Sequence, residues 1–399
     1  MTDHHEILEG RIPKQAYAII NPLQDSCRYP FKHLAGVGLA YKLAKALYED
    51  THFFAEDFLD LVSLGTVADI APLTGENRIL TKHGLDELNK RTRLGLNALM
   101  EVSGLSGKEI SSGHIGYILG PRINAMGRVG SPQKAVELLL TEDEAASIRL
   151  AKLLDTENRN RQKIESRILD DALSKVEREV NFKHHRVIVL ASEDWHPGVI
   201  GIVASRLVER YYRPTILISL DGKFGKGSGR SIEKFHLFEY LLRCKDLLIG
   251  FGGHESACGI TIEKARIDEF KDLINLEASK EMREDVLKPK LDVDMDMPLN
   301  MLNESVINEL ASLGPFGEEN PRPILASRNL IVKDGPRQIG KSGFKMWVTD
   351  NRVTCEAISF GRNNLEIPKL GSDVDLAYTP SLNKWQGLES IQLELHDIR

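Results

Sequence analysis

The stretch Arg186-Val187-Ile188-Val189-Leu190-Ala191-Ser192-Glu193-Asp194-Trp195-His196-Pro197-Gly198 decides the fold class. Its apolar run, Val187 to Ala191, gives way to a turn and then to helical spacing in Val199, Val203, Leu207 and Val208, the alternation of an α/β domain. Pro214 leads directly into a second run, Thr215 to Ile218. Beyond it the sequence predicts a glycine-rich loop from Gly222 to Arg230 and an amphipathic helix from Phe235 to Leu248. A turn at Gly250-Phe251-Gly252-Gly253-His254 and an alternating strand from Cys258 to Ile262 follow. Short connections of this kind belong to sheets covered by helices.

Upstream, Thr141 to Val180 reads as one long helix opened by a capping box, Thr141 capping and Glu144 returning the bond. Its centre, Glu157 to Lys163, is polar all round, which predicts a solvent-bridging helix connecting two domains over 141–182. The region 1–140 carries helical apolar patterns in Gly36 to Leu47 and Leu59 to Ala68. An α/β domain then occupies 183–287. From 288 to 399 an acidic linker, Pro289 to Pro298, precedes five short strands: Leu330 to Val332, Phe344 to Val348, Thr354 to Phe360, Asp375 to Tyr378 and Ser390 to Leu395. That pattern suits a small nucleic-acid-binding β-barrel of the OB kind.

With 399 residues, 42% apolar and 28% charged, the chain predicts two or three globular domains rather than disorder. No apolar run approaches the ~20 residues that cross a bilayer, and Met-Thr-Asp-His-His lacks the basic start of an export signal, so a cytoplasmic protein is expected. Cys27, Cys244, Cys258 and Cys355 form no C-x-x-C pair, which argues against a zinc cluster or a disulfide framework. A net charge of −6 excludes a basic nucleic-acid coat. Charge is segregated, however: residues 221–243 hold five cations against three anions, and residues 277–309 hold nine anions against four cations.

Four constellations could carry chemistry. Asp3-His4-His5 offers adjacent carboxylate and imidazole groups suited to a borderline divalent cation; a solvated terminus is the plainer alternative. Asp69 is a lone carboxylate among small and apolar residues, where an unpaired charge would be costly; a loop carboxylate satisfied by backbone is the alternative. Arg122, Asn124 and Arg128 supply guanidinium forks and an amide around a glycine, equipment for a phosphate, and equally for an ion pair. Gly225-Lys226-Gly227-Ser228-Gly229-Arg230-Ser231 could turn backbone N–H groups toward an anion, although it lacks the Walker A spacing; a flexible hairpin or bulge is the alternative. Gly252-Gly253-His254 permits close backbone approach beside a donor. His254 and His196 are each read more simply as satisfied structural histidines.

In order, the motifs T-D-H-H-E, G-T-V-A-D-I-A-P-L, R-I-N-A-M-G-R, W-H-P-G-V-I-G-I-V-A-S-R-L, G-K-G-S-G-R-S, F-G-G-H and G-P-F-G-E-E-N-P-x-P run from one end of the chain to the other. Their succession closely resembles the RecJ family of single-strand-specific 5′ to 3′ DNA exonucleases in the DHH phosphoesterase superfamily. The resemblance implies an α/β architecture: a partial DHH parallel-sheet domain, a long connecting helix, an α/β DHH-associated domain and a C-terminal OB barrel. It implies His4 and Asp69 as metal ligands, His5 and Asp3 as catalytic residues near the scissile phosphate, and Arg122, Asn124, Arg128, Ser228, Arg230 and His254 as substrate contacts. Two Mn²⁺ or Mg²⁺ ions are the implied cofactors. Single-stranded DNA is the implied partner, with single-strand-binding protein and helicases behind it in repair and recombination, and a monomeric chain is expected.

The chain departs from the family at its start. The D-H-H triplet is the family's third motif, and the D-x-D aspartates that precede it have no counterpart between Pro13 and Asp57. The resemblance therefore implies an N-terminally shortened chain whose hydrolysis requires the missing segment. Two other readings are a nuclease-dead single-strand-binding scaffold and a phosphoesterase acting on short oligonucleotides.

Overall fold

The computed structural model describes residues 1–7, 13, 15–48, 58–284, 286–340, 343–361, 365–385 and 388–399. Along the chain come α1 (Gly36–Leu47), α2 (Leu59–Ala68), α3 (Gly75–Asn89), α4 (Leu94–Val102), the short α5 (Ser112–His114), a π-helical turn (Ile115–Leu119), α6 (Gly120–Val129), α7 (Pro132–Leu140) and α8 (Glu144–Glu179). Then follow β1 (Ile188–Ser192), α9 (Ile200–Tyr211), β2 (Thr215–Asp221), β3 (Phe224–Arg230), α10 (Leu237–Arg243), β4 (Leu248–Gly253), β5 (Ala257–Glu263) and α11 (Ile267–Glu281). The last part holds β6 (Met295–Asp296), α12 (Glu304–Ser312), β7 (Leu325–Ile339), β8 (Gly343–Thr349), β9 (Thr354–Ser359), β10 (Asp373–Trp385) and β11 (Leu388–Ile398). Two compact units result: 1–121, 138–151 and 291–399 form one, and 122–137 with 152–290 the other.

In the second unit a five-stranded sheet has the order β1-β2-β3-β5-β4. β1 and β2 run parallel through the α9 crossover, and the remaining pairs are antiparallel. The continuous apolar runs of β1 and β2 are explained by burial on both faces. Val187, Val189, Ile216 and Ile218 enter one core with residues of α10 and α11. Ile188, Leu190 and Leu217 enter the other with Ile168, Ala172 and Val176 of α8 and Val203 and Leu207 of α9.

The sequence offers Gly225 to Ser231 as an anion-cradling loop or a hairpin; the structure corrects the loop and has the hairpin, β2 to β3. Residues 224–230 are the central strand β3, and the glycines alternate with functional side chains at the strand period of two. A Cβ at Gly227 would lie 2.5 Å from Ile260 Cγ1, and one at Gly229 2.4 Å from Cys258 Sγ. These positions are glycine because larger neighbours already fill that core. Gly250 to Gly253 likewise belong to strand β4 rather than to a turn. The helix expected to reach Leu248 ends at Arg243, followed by a single 3₁₀ turn over Lys245–Leu247.

The long helix spans Glu144–Glu179, and two of its expected features are corrected. Its cap is Asp143, whose Oδ1 accepts from the Ala146 N–H at 3.1 Å. Thr141 instead accepts from the Asp143 N–H. Its polar centre is solvated on one side only: Arg159, Asn160, Gln162 and Lys163 are exposed, whereas Asn158 and Arg161, with Asp155 and Glu165 flanking them, are buried, at 2%, 8%, 7% and 9% exposure. Their spacing of three, three and four places them on one helical face, and paired arginines make that burial tolerable.

The first unit is helical over residues 36–48 and 58–121. Its β-pairing in the region 1–140 is one parallel bridge, Thr2 to Ile20, among the described residues. α2 and α3 pack closely at Gly84, where a Cβ would fall 2.2 Å from the Leu59 carbonyl oxygen. In the same unit β7, β8, β9, β11 and β10 close into a five-stranded barrel through a β10–β7 pairing, with β9 and β11 parallel and β6 added beside β7. Its core includes Leu325, Val332, Phe344, Val348, Leu376 and Leu393. Tyr378 is fully buried there, its hydroxyl 2.7 Å from Ser327 Oγ. The segment Gly314 to Asn320 docks on this unit's helices. Arg78 donates to the Leu313 and Gly314 carbonyls, Leu73 N–H to Glu318 O, and Ser112 Oγ to Phe316 O.

Candidate functional site

The N-terminal residues are held in place by backbone pairing: Asp3 N–H donates to Ile20 O at 3.0 Å. Asp3 Oδ1 then accepts from the His4 and His5 backbone N–H groups and sits 2.8 Å from His5 Nδ1. These donors, the His5 side chain foremost, hold the Asp3 carboxyl below its usual range. Asn21, itself buried, donates to the His5 carbonyl at 2.9 Å and braces the turn from beneath. The consequence is a His4 ring directed at Asp69, with Nε2 3.3 Å from Oδ2. Gly36 at the start of α1 allows this, since a Cβ there would stand 3.3 Å from the His4 ring.

The apolar neighbours of Asp69 suggest an enclosed carboxylate, and the structure corrects that too. Asp69 is the C-cap of α2, and its side chain is 49% exposed. Of its apolar neighbours Ala71 and Leu73 are buried, whereas Ile70 is exposed beside it at 70%. His4 and Asp69 thus present one nitrogen and one oxygen to a common point, a donor pair suited to Mn²⁺ or Mg²⁺. Among the described residues no group of three His, Cys, Asp or Glu side chains converges.

The second constellation lies in the other unit, around the first turn of α9. Leu217 pairs with Ser228 in the sheet register, which puts Lys226, Ser228 and Arg230 on the face that α9 partly covers. A Cβ at Gly201 would lie 2.8 Å from Ser228 Oγ and 3.1 Å from Arg230 Nη2, so glycine is required for these side chains to reach the helix start. Arg230 donates to Ser228 Oγ at 3.1 Å and to the Gly229 carbonyl at 2.7 Å. Arg128 comes from the end of α6 and donates to the Gly198 carbonyl at 3.1 Å. No carboxylate pairs with Arg128 or Arg230 among the described residues. Lost hydration pushes both guanidinium groups down from their usual range, and at Arg128 the nearby Arg230 pushes the same way. The arrangement puts two guanidinium groups near the positive end of a helix, chemistry suited to an anion. Because β3 is a central strand, its backbone N–H groups are spent on sheet pairing, which leaves its side chains as the groups free to meet a ligand.

The remaining sequence candidates divide. The turn carrying His254 is tied to the end of β3 by Ser231 N–H donating to Ser256 O, and His254 Nδ1 accepts from Ser256 N–H at 3.4 Å. Arg122 is committed to Asp155, with Nε and Nη2 both at 3.0 Å from Oδ1. The ion-pair alternative therefore describes its state here. Asn124 is exposed on α6. Beyond Ser228, the same sheet face continues over β5 and β4 as a cavity of about 310 Å³ between Lys226, Gly250, Gly259 and Thr261. Gly253 has φ of +141° and no room for a Cβ, whereas Gly250 and Gly252 have nothing within 4 Å of one.

Sequence reasoning missed Asn21 and the buried stripe of Asp155, Arg161 and Glu165. The stripe's own helical period was the available signal.

A carboxylate–imidazole pair, an anion site on an α/β sheet and an OB-type barrel define the architecture of a DHH phosphoesterase with an appended barrel. Family models agree: the DHHA1 domain matches residues 184–280 and the RecJ OB domain residues 293–397. The single-stranded-DNA-specific exonuclease RecJ of Bacillus subtilis (strain 168) is 37% identical over 404 residues, covering all of this chain and 50% of the relative. Its namesake in Salmonella typhimurium is 35% identical over 428 residues, covering all of this chain and 72% of the relative. A crystal structure of RecJ with Mn²⁺ from Thermus thermophilus superposes with a TM-score of 0.83 at 30% identity, over 100% of this chain and 57% of that one. The chain belongs to the RecJ family. It spans about half the length of the Bacillus relative. No helix among the described residues is long and apolar enough to cross a membrane.

Proposed function

We propose that this chain carries the strand-binding apparatus and part of the hydrolytic centre of a metal-dependent 5′ to 3′ exonuclease specific for single-stranded DNA. The observation that carries the reading is the pair Arg128 and Arg230, brought with Ser228 to the first turn of α9 and left without a carboxylate among the described residues. A phosphodiester supplies the missing charge and takes hydrogen bonds from both guanidinium groups.

The barrel supports the same substrate class. Trp347 is 38% exposed on the outer face of β8, an aromatic ring able to stack a base, while Lys345 two residues away is paired with Glu356 at 3.2 Å. The domain boundaries stated from the sequence, and roles for Asn124 and His254 at the substrate, are part of the proposal. A cytoplasmic location fits the four unpaired cysteines.

His4 and Asp69 would hold a divalent cation, which supplies an activated water and neutralises charge on the departing oxygen. Asp3 fixes His5 beside that point by its short contact with Nδ1. The absence of a third convergent donor among the described residues favours a second reading, a chain that binds single strands without cutting them.

The test is the 399-residue chain with Mn²⁺ on 5′-labelled single- and double-stranded DNA. Selective binding of the single strand supports the proposal. Digestion by this chain alone would show that its donors suffice and would overturn the partial-centre half of the proposal, and binding without digestion is expected of both readings. No preference for the single strand would overturn both.

A further inference from the structure

The turn that opens α9 is held shut by one histidine. Its upstream end is pinned to the core of the unit: Trp195 is buried, its indole N–H donates to Asp171 Oδ2 of α8 at 2.8 Å, and its carbonyl accepts from Ser219 Oγ of β2 at 2.6 Å. The His196 carbonyl then accepts from the Val199 N–H at 3.0 Å and the Ile200 N–H at 3.2 Å, and the ring Nδ1 of His196 accepts from the Gly198 N–H at 3.1 Å. The successive N–H groups of Gly198, Val199 and Ile200, which a helix start leaves without intrahelical partners, are therefore all spent on His196. Gly198 is also where Arg128 rests. Its carbonyl accepts from Arg128 Nη1 at 3.1 Å, and a Cβ on it would lie 2.7 Å from the Arg128 carbonyl oxygen and 3.2 Å from His196 Nδ1. Gly198 is thus clamped between the His196 ring and the main chain of Arg128.

We propose that His196 is a positioning residue of the anion site: by closing the turn on Gly198 it aims the Gly198 carbonyl at Arg128 and so sets where that guanidinium meets a strand phosphate. The inference rests on the reading of that site as a phosphate site. His196 fixes both peptide planes that flank Gly198, one through its ring and the other through its carbonyl, which holds the Val199 N–H. A glycine has wide backbone freedom, so losing the ring bond lets the Gly198 carbonyl swing. An arginine side chain samples many rotamers, and a contact that selects one in advance lowers the cost of ordering it on a ligand. Because Nδ1 accepts, the ring proton lies on Nε2. The imidazole thus acts on the strand through Gly198 and Arg128.

The experiment is fluorescence anisotropy of the full chain with a labelled oligothymidylate across a salt series, with thermal unfolding recorded for every variant. His196→Ala is expected to weaken binding about five- to tenfold, the scale of one lost cap, and to lower the slope of log affinity against log salt by about one. His196→Asn is expected to bind within about twofold of the unsubstituted chain, because its Oδ1 stands as many bonds from Cα as the imidazole Nδ1 and can accept from the N–H two residues on. His196→Gln carries its oxygen where Nε2 stood and is expected to behave like the Ala variant. The double variant, His196→Ala with Arg128→Gln, is expected to bind no more weakly than Arg128→Gln alone. Full additivity overturns the proposal, since His196 would then act independently of Arg128. Rescue by Gln and not by Asn overturns it by putting the ring on the ligand itself, and unchanged affinity in His196→Ala overturns it outright.

Should His196→Ala not fold, the Asn and Gln variants carry the test, and equal affinities in the two overturn the proposal. Arg128→Gln separates the two layers. Unchanged oligothymidylate affinity there sinks the strand-binding reading, whereas lost affinity there with an independent effect of His196 sinks only the role of His196.

Discussion

His4 Nε2 and Asp69 Oδ2 stand 3.3 Å apart, although they belong to different motifs separated by helix α1. An imidazole and a half-exposed carboxylate at that distance gain little from each other in water, so their approach is not explained by stability. In any preparation that digests single-stranded DNA, His4→Ala is expected to cut the rate by about a hundredfold or more, the scale of several kcal/mol of transition-state charge stabilisation. Oligonucleotide affinity should hardly change. Parallel loss of rate and affinity would point to a misfolded N-terminal turn.

Arg230→Ala is expected to weaken single-strand binding and to reduce the slope of log affinity against log salt by about one, because one phosphate contact and its released counterion are lost. Fluorescence anisotropy across a salt series measures this. An unaltered slope would remove Arg230 from the strand's path.

Glycines in the second unit should sort into two classes. Gly253→Ala places a Cβ 2.3 Å from the Ala257 carbonyl oxygen at a positive φ, and is expected to cost on the order of 2–4 kcal/mol of stability in denaturant unfolding. Gly252→Ala and Gly259→Ala meet open space or only ordinary contact and should leave stability nearly unchanged while impeding a strand that lies on the sheet. Equal destabilisation by all three would show that packing alone sets these residues.

The barrel carries a pH dependence of definite sign. Burial holds His396 below the ordinary imidazole value of 6.5, Glu394 opposing, while its Nε2 meets Thr379 Oγ1 at 2.9 Å. The unfolded chain therefore binds this proton first as pH falls. The stability tied to neutral His396 is present above about pH 6.5 and declines below it, toward the lower folded-state value. Amide hydrogen exchange of the barrel between about pH 5 and 8 should show this decline, and His396→Gln should flatten it. An identical profile in the variant would assign the dependence to other groups.

Local periodicity carries a great deal of this protein. Residues Gly36 to Leu47 and Leu59 to Ala68 are helices with the boundaries their apolar spacing predicts, and Val187 to Ala191 and Thr215 to Ile218 lie along adjacent parallel strands. Each of these patterns is written within one turn or one strand, where nearest neighbours set the backbone. The barrel's strands are visible as short alternating runs, though β7, β10 and β11 extend well past them, because pairing across the barrel continues where hydrophobic alternation has stopped.

The glycine-rich segment and the polar helix centre mislead for one shared reason. Glycine at 225, 227 and 229 looks like a loop until Ile218, Ile260 and Cys258 are seen to occupy the space a side chain would need. Glu157 to Lys163 looks polar all round until Asn158 and Arg161 are found buried on one face, with Glu165 one turn on meeting Arg206 of another helix.

The sequence by itself determined the order of elements, the residue types available for anion and cation binding, and, through its run of motifs, the family. Only the tertiary structure decided that Asp69 is exposed, that Arg122 is already paired, that Arg128 and Arg230 converge on one helix end, and that Glu165 pairs with both Arg161 and Arg206. Periodicity is a property of neighbours along the chain, whereas burial, ion pairing and the clash of an absent Cβ depend on atoms that folding brings from far away in it.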